Sequence, residues 1–323
     1  MICRRAFLAG GLAAGAMRLA QAQSPPVVGY LGLSTPDGDR AALDALRSGL
    51  ASLGREDGRN IVILARHAAG DMALAEEFMA EMVAARATVV VAPGQAATRA
   101  LRRRTTLPVV SMGLPPSDPQ LFASLARPGG TVTGFADFGD ELAAKRIEVL
   151  KETIPGLSLI GVLHNGIDPT FKRWGEQARA QAENQGLRAV SLPLSTSAEA
   201  EVGALVGGLA AGGGQALVVV RDFLTSAVIA ATAAAGMARG IAVCGEQTSW
   251  PEGGALMSYG PDFHDLFRRA ALYVDRILKG EKAGDLPIQR PTKIEFVINQ
   301  ETARRLHLVL PTAIMLQADR VIE

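Results

Sequence analysis

Cysteine, histidine and aromatic residues are all scarce in this chain of 323 residues. There are two cysteines, Cys3 and Cys244, four histidines, and aromatics make up 5%. Cys3 falls in a stretch that reads as a cleavable leader, so Cys244 has no partner in the rest of the chain. An internal disulfide is thereby excluded, and stability has to come from packing. His67, His164, His264 and His307 stand far apart, with no metal-type spacing among them. No Gly-x-Ser-x-Gly elbow, phosphate-binding loop or Gly-x-Gly-x-x-Gly fingerprint occurs. Gly212-Gly213-Gly214 precedes an apolar run instead of following one, and reads as a turn. A dominant charge is missing too: the net charge is +1, and losing Arg4, Arg5 and Arg18 with the leader brings it to −2. A nucleic-acid partner needs a concentrated basic field, so that class is excluded. A chain with these gaps reads as a non-enzyme that requires no cofactor and no metal. Cys244, at the end of an apolar run, reads as a small core residue.

What is present begins with that leader. Arg4-Arg5 precede an apolar run, Ala6 to Met17, which closes near Ala20-Gln21-Ala22, the charged, apolar, cleavable order of an export signal over residues 1–22. The run is too short to span a bilayer. Arg4-Arg5 with Phe7-Leu8 resembles a twin-arginine signal, although Cys3 stands where Ser or Thr is usual; a general secretory signal fits as well. Either route exports the chain, and the periplasm is the expected location.

Beyond the leader, small residues abound, 35 Gly among them, and 48% of residues are hydrophobic. Those proportions suit tight β-α turns and close packing of helices on sheets. Short apolar runs at Val27–Leu33, Ile61–Ala65, Thr88–Ala92 and Val109–Met112 read as strands buried on both faces of a parallel sheet. Between them, Ala41 to Leu53 and Asp71 to Ala85 carry helical spacing, with Asp71 as an N-cap. A second series follows at Leu159–Leu163, Ala189–Leu192, Ala216–Val220 and Ile241–Val243. Its starts lie 132, 128, 128 and 132 residues after those of the first series. A single long sheet has no reason to reproduce its own spacing, so the pattern predicts two α/β lobes of like architecture. The Pro-Gly-Gly turn in Leu125 to Phe135 suits a segment that leaves one lobe for the other. Later, Ala255–Gly260 reads as a strand, Asp262–Lys279 as an amphipathic helix ended by Gly280, Lys293–Ile298 as a strand and Gln300–Leu306 as a short helix, with a tail beyond.

Three segments now carry a resemblance. Leu125-Ala126-Arg127-Pro128-Gly129-Gly130-Thr131-Val132-Thr133-Gly134 is the first, Gly254-Ala255-Leu256-Met257-Ser258-Tyr259-Gly260 the second. The third is Tyr273-Val274-Asp275-Arg276-Ile277-Leu278-Lys279-Gly280, with Asp285-Leu286-Pro287 and Pro291-Thr292-Lys293 after it. Together they are similar, in order, to the tryptophan/tyrosine-type family of ABC transporter substrate-binding proteins. The resemblance implies a type I periplasmic-binding-protein fold: α/β, two Rossmann-like lobes with parallel sheets joined by a three-crossover hinge. Lobe 1 is then expected over 23–135 with 259–290, and lobe 2 over 136–258 with 291–323. It also implies a monomer that captures a small-molecule ligand and delivers it to an ABC permease in the inner membrane. A periplasmic sensor using the same lobes, or a two-lobe α/β enzyme, is the alternative; turnover of a bound compound would distinguish the latter.

In open α/β sheets ligands sit beyond the carboxyl ends of the strands, which selects loops without any alignment. In the first series these hold Ser34 and Thr35, then Gly94, Gln95 and Ala96, then Gly113 and Leu114. In the second they hold His164 and Asn165, Asp222 beside Arg221, and Glu246; Tyr259 follows another strand end. The hydroxyls of Ser34 and Thr35 suit a carboxylate, and plain N-capping explains them equally. Gly94 to Ala96 lets backbone N–H groups approach a ligand, or is simply a tight turn. Asp222 is the acid expected to hold an ammonium group, with Glu246 second; pairing of Arg221 with Asp222 is the competing reading. Tyr259 can contact ligand or pack a hinge. Where the family often has Asp-Pro after the fourth strand, this chain has Pro115-Pro116, so an aromatic amino acid is not a safe transfer as ligand. The expected ligand is an amino acid, aromatic acid or similar carboxylate.

Overall fold

The computed structural model describes residues 24–115, 118–136 and 139–323. The segment 1–22, expected to be an export signal, and Pro116 lie outside them. In chain order the first half holds β1 (Val27–Gly32), α1 (Pro36–Ser52), β2 (Val62–His67), α2 (Met72–Ala84), β3 (Val89–Ala92), α3 (Gln95–Arg104), β4 (Val109–Leu114) and β5 (Val132–Ala136). The second half runs α4 (Gly139–Thr153), β6 (Leu159–Asn165), α5 (Pro169–Asn184), β7 (Arg188–Leu194), α6 (Glu199–Ala211), β8 (Ala216–Val219), α7 (Phe223–Ser226), α8 (Ile229–Met237), β9 (Ala242–Gly245), α9 (Ser249–Glu252) and β10 (Met257–Pro261). Then come α10 (Phe263–Leu278), a 3-10 turn at Ala283–Asp285, β11 (Ile294–Asn299), α11 (Gln300–Arg305), α12 (Thr312–Gln317) and β12 (Arg320–Ile322).

Two sheets form. One has the order β2-β1-β3-β4-β5, the other β7-β6-β8-β9-β10, continued by β11 and β12. The five-strand order is the same in both, which is the repeated architecture the spacing predicts. All pairings in the first sheet are parallel; in the second only β10 with β11 is antiparallel. The central strands β3, β6, β8 and β9 are buried along their whole length, as strands covered on both faces must be. Apolar clusters lie on each face of each sheet: Leu46, Leu50, Phe267 and Val274 on one side of the first, Met79, Met82 and Leu101 on the other. The second sheet is flanked likewise by Ile147 and Leu150, and by Val206 and Trp250.

Helix α10 follows β10 of the second sheet yet packs in the core of the first, so the chain passes between the two bodies near Asp262. The passage after β5 is bound to the return segment beyond the 3-10 turn. Thr133 Oγ1 donates to the Leu286 carbonyl, 2.8 Å, and the Ala136 N–H to the Gln289 carbonyl, 2.8 Å. Close approach at this strand requires glycine. A Cβ at Gly134, whose φ is +130°, would lie 2.0 Å from the Ser111 carbonyl oxygen.

The start of α1 and the tail differ from the sequence reading. Helix α1 starts at Pro36, not Ala41, because Thr35 accepts the Gly38 N–H, 3.2 Å, and Pro36 is preset for a first turn. The tail is also ordered: α12 buries Ile314 and β12 pairs with β11.

Candidate functional site

At the carboxyl ends of both sheets lies a cavity of about 680 Å³, walled by both halves. From the first sheet come the loop after β1 with Ser34, the loop after β3 with Gly94, Gln95 and Ala96, and Gly113 in β4. From the second come Arg221, Asp222 and Phe223 after β8, Gln247 to Ser249 after β9, and Phe171 and Trp174 on α5. Phe263 and Phe267 of α10 complete the wall. The volume is that of a site for a small organic molecule.

Gly94 caps α3 without a side-chain hydrogen bond, which leaves the first-turn N–H groups facing this space. Beside it, Gln95 is 4% exposed, and neither its Nε2 nor its Oε1 has a hydrogen-bond partner. A buried amide left so costs about 1–3 kcal/mol, and a native chain rarely keeps one without use for it. Gly113 sits where the β4–β5 register shifts, a bulge that turns the backbone toward the cavity.

Asp222 is buried at the opposite wall. It caps α7, accepting from the Thr225 N–H (2.8 Å), the Thr225 hydroxyl (3.1 Å) and the Asn165 side-chain amide. All three donors are neutral. Burial pushes its carboxyl above the ordinary range, and hydrogen bonds from Thr225 and Asn165 offset this only in part. Arg221 does not pair with it; the Arg221 guanidinium lies 4.3 Å over the Phe263 ring and 3.8 Å from Glu246.

Several wall residues were not expected from the sequence, and Asp39 is the buried acid among them. Asp39, 6% exposed, lines the cavity from the first turn of α1, and its Oδ2 lies 2.9 Å from His67 Nδ1. Its carboxylate occupies the space a Cβ at Gly32 would fill, 1.7 Å from that position. Burial raises the Asp39 carboxyl, while the hydrogen bond to His67, its charge, and the Tyr30 hydroxyl beside it act in the lowering direction. The signal lay in Thr35-Pro36, which starts the helix early enough to place Asp39 within it.

The sequence-derived residues thus divide. Ser34, Gly94, Gln95, Ala96, Gly113 and Asp222 line the cavity. Thr35, Leu114, Asn165, Glu246 and Tyr259 are not among the described lining residues. Thr35 caps α1, and Leu114 is fully buried in a core cluster. Asn165 stands behind Asp222 and accepts the N–H groups of Ile167 and Asp168 with its carbonyl oxygen. Glu246 is drawn inward by Arg146 of α4, 3.0 Å, whose other amino group donates to the Tyr259 carbonyl, 3.1 Å. The Tyr259 ring packs edge-on against Phe296. His164 is likewise internal, bonded to the Ser191 hydroxyl at 2.7 Å. Cys244 is buried, and its thiol is pushed up to about 12, where no useful thiolate forms at neutral pH. Among the described residues no cluster of metal-ligating side chains occurs.

The two walls also touch. Arg99 of α3 donates to the Thr170 hydroxyl of α5, 3.1 Å, and to Asp118, 2.8 Å. Phe223 packs against apolar clusters of both sheets. Contacts of this kind exist only while the halves are together.

A family model described as ABC transporter substrate binding protein matches residues 33–322. A tyrosine-binding protein of Clostridioides difficile is 24% identical over 278 residues, covering 84% of this chain and 79% of its own length. A solved conserved domain protein from Vibrio cholerae is similar with a TM-score of 0.85 at 26% identity, over 92% of this chain and 100% of that one. An ABC domain in complex with L-Trp from Streptococcus pneumoniae has a TM-score of 0.84 at 24% identity, over 93% and 100%.

Proposed function

This chain belongs to the family of ABC transporter substrate-binding proteins, and on that premise we propose that it is exported, captures a small polar ligand between two lobes and hands it to a permease. The reading takes 1–22 as the signal, 23–135 with 259–290 as lobe 1 and 136–258 with 291–323 as lobe 2. The protein acts as a monomer and performs no bond chemistry. An amino acid or similar carboxylate is the ligand class, in keeping with relatives described as binding tyrosine and L-Trp.

The observation that carries this reading is the unpartnered Gln95 amide, buried in the wall of a cavity lined from both sides. A ligand carboxylate can take hydrogen bonds from Gln95 Nε2 and the open N–H groups of α3, where the helix dipole also favours it. An ammonium group suits Asp222. A ligand that touches both lobes only when they are together draws the open–closed equilibrium to the closed side by its differential affinity. Micromolar binding corresponds to about −8 kcal/mol, and reversing a 1:99 population takes roughly 5.5 kcal/mol of preference.

Gln95→Met tests the site with two readouts of opposite sign. Calorimetry over a panel of amino acids should show affinity lower by tenfold or more. The melting temperature without ligand should rise, since the orphaned amide is gone, a gain of about 1 kcal/mol. Unchanged affinity would remove Gln95 from the site, and chemical alteration of the bound compound would refute the transport reading.

A further inference from the structure

The charge balance of the cavity carries the reading further. Among its described lining residues are six carboxylates, Asp37, Asp39, Asp222, Glu252, Asp262 and Glu295, against the guanidiniums of Arg221 and Arg320. Most of the acids are answered nearby: Asp37 by Arg40, Glu252 by Arg320, and Asp262 by Lys293. Glu295 lies among Arg320, Lys293 and Asp262. The two most deeply buried acids are not answered by a lysine or arginine. Asp222 has only neutral donors, and Asp39 has only His67 and the neighbouring Tyr30 hydroxyl. They stand on opposite halves of the molecule. Asp222 thus has no cationic partner and Asp39 at most one imidazole; a buried carboxylate so placed is costly, and a ligand that supplies a cation recovers that cost on binding.

Two further features fit a cation. Phe171 and Trp174 bring aromatic rings to the wall, which attract organic ammonium groups and cover apolar stems, while the Phe263 ring already carries Arg221. Gln95, 4% exposed and unpartnered, belongs to the wall of the same space, and its Oε1 can accept from an ammonium as its Nε2 can donate to a carboxylate.

We propose that the ligand brings one positive centre to each lobe, to Asp39 in the first and Asp222 in the second, which makes it a diamine-type cation such as a basic amino acid. The proposal rests on the transport reading and narrows it. Asp39 is the specificity-determining residue: Asp222 serves any ammonium, whereas Asp39 selects a second one.

The test titrates lysine, tyrosine and putrescine into the wild type and into Asp39→Asn by calorimetry. Asparagine keeps an acceptor for His67 and removes the charge, and a cooperative melting transition no lower than that of the wild type confirms that the variant folds. Lysine should bind the wild type at least tenfold more tightly than tyrosine, and Asp39→Asn should erase that difference by weakening lysine alone. Asp222→Asn should weaken both amino acids, since asparagine also caps helices well and mainly the charge is lost. Tyrosine binding more tightly than lysine, or equal effects of Asp39→Asn on both, overturns the proposal and leaves the transport reading standing. Failure of all three compounds to bind overturns the proposal; binding of an uncharged solute in their place keeps the transport reading alone.

Discussion

Asp39 and Asp222 carry the plainest electrostatic signature in the molecule, and it has a consequence for stability. Both carboxyls titrate above the ordinary range, chiefly because burial penalises the charged form. Between the unfolded value, about 3.9, and the raised one, the folded chain holds a proton that the unfolded chain has released. Stability from these groups is therefore full below that window and is lost as pH rises through it. Asp39→Asn, which cannot titrate, should gain on the wild type as pH increases across the window, measured by denaturant unfolding without ligand. A difference independent of pH would show that Asp39 is not desolvated as described; His67 and the Tyr30 hydroxyl are the groups that face it. At this scale topology picks the right loops, and Ser34, Gly94 to Ala96, Gly113 and Asp222 reach the cavity wall, but it does not separate them from neighbours such as Thr35, Leu114 and Asn165, which do not. It failed where a distant partner decides. Glu246 turns inward because Arg146, 100 positions away, sits 1% exposed beneath it, and nothing local announces a buried arginine in α4.

Among the elements, β5 is the least tolerant of change. Gly134 has φ +130°, and an added Cβ would sit 2.0 Å from the Ser111 carbonyl oxygen and 2.7 Å from its nitrogen, both backbone atoms that cannot swing aside. Gly134→Ala should cost about 2–4 kcal/mol through strain and overpacking together. Urea unfolding reads this as a lower midpoint, and a loss under about 0.5 kcal/mol would mean the strand is not held this tightly by β4. The short apolar runs announced nearly every parallel strand, because a strand covered on both faces has no polar position to spare. The first turn of α1 and the tail were less visible. Residues 36–40 show no apolar periodicity, since that turn is exposed apart from Asp39 and is fixed by its cap, and β12 is a three-residue edge that exists only beside β11.

Across the whole molecule, the like order of the two five-strand sets explains why the halves meet as they do. Each set presents its carboxyl-end loops to the other, and the cavity is the space between. The sequence spacing disclosed this repeat because each strand-helix unit has nearly the same length in both halves. It could not disclose how the mouth is held, since Arg99 to Thr170 and Phe223 across both clusters join residues far apart in the chain. On the proposed function those contacts belong to a closed state, and a ligand bound to both walls should raise its population. Small-angle scattering of the protein during titration with the tightest-binding compound of the panel measures this directly. The account predicts that the radius of gyration falls and saturates with the same midpoint as calorimetric binding at one ligand per chain. A radius that stays constant while the ligand saturates its site would contradict capture between two closing lobes.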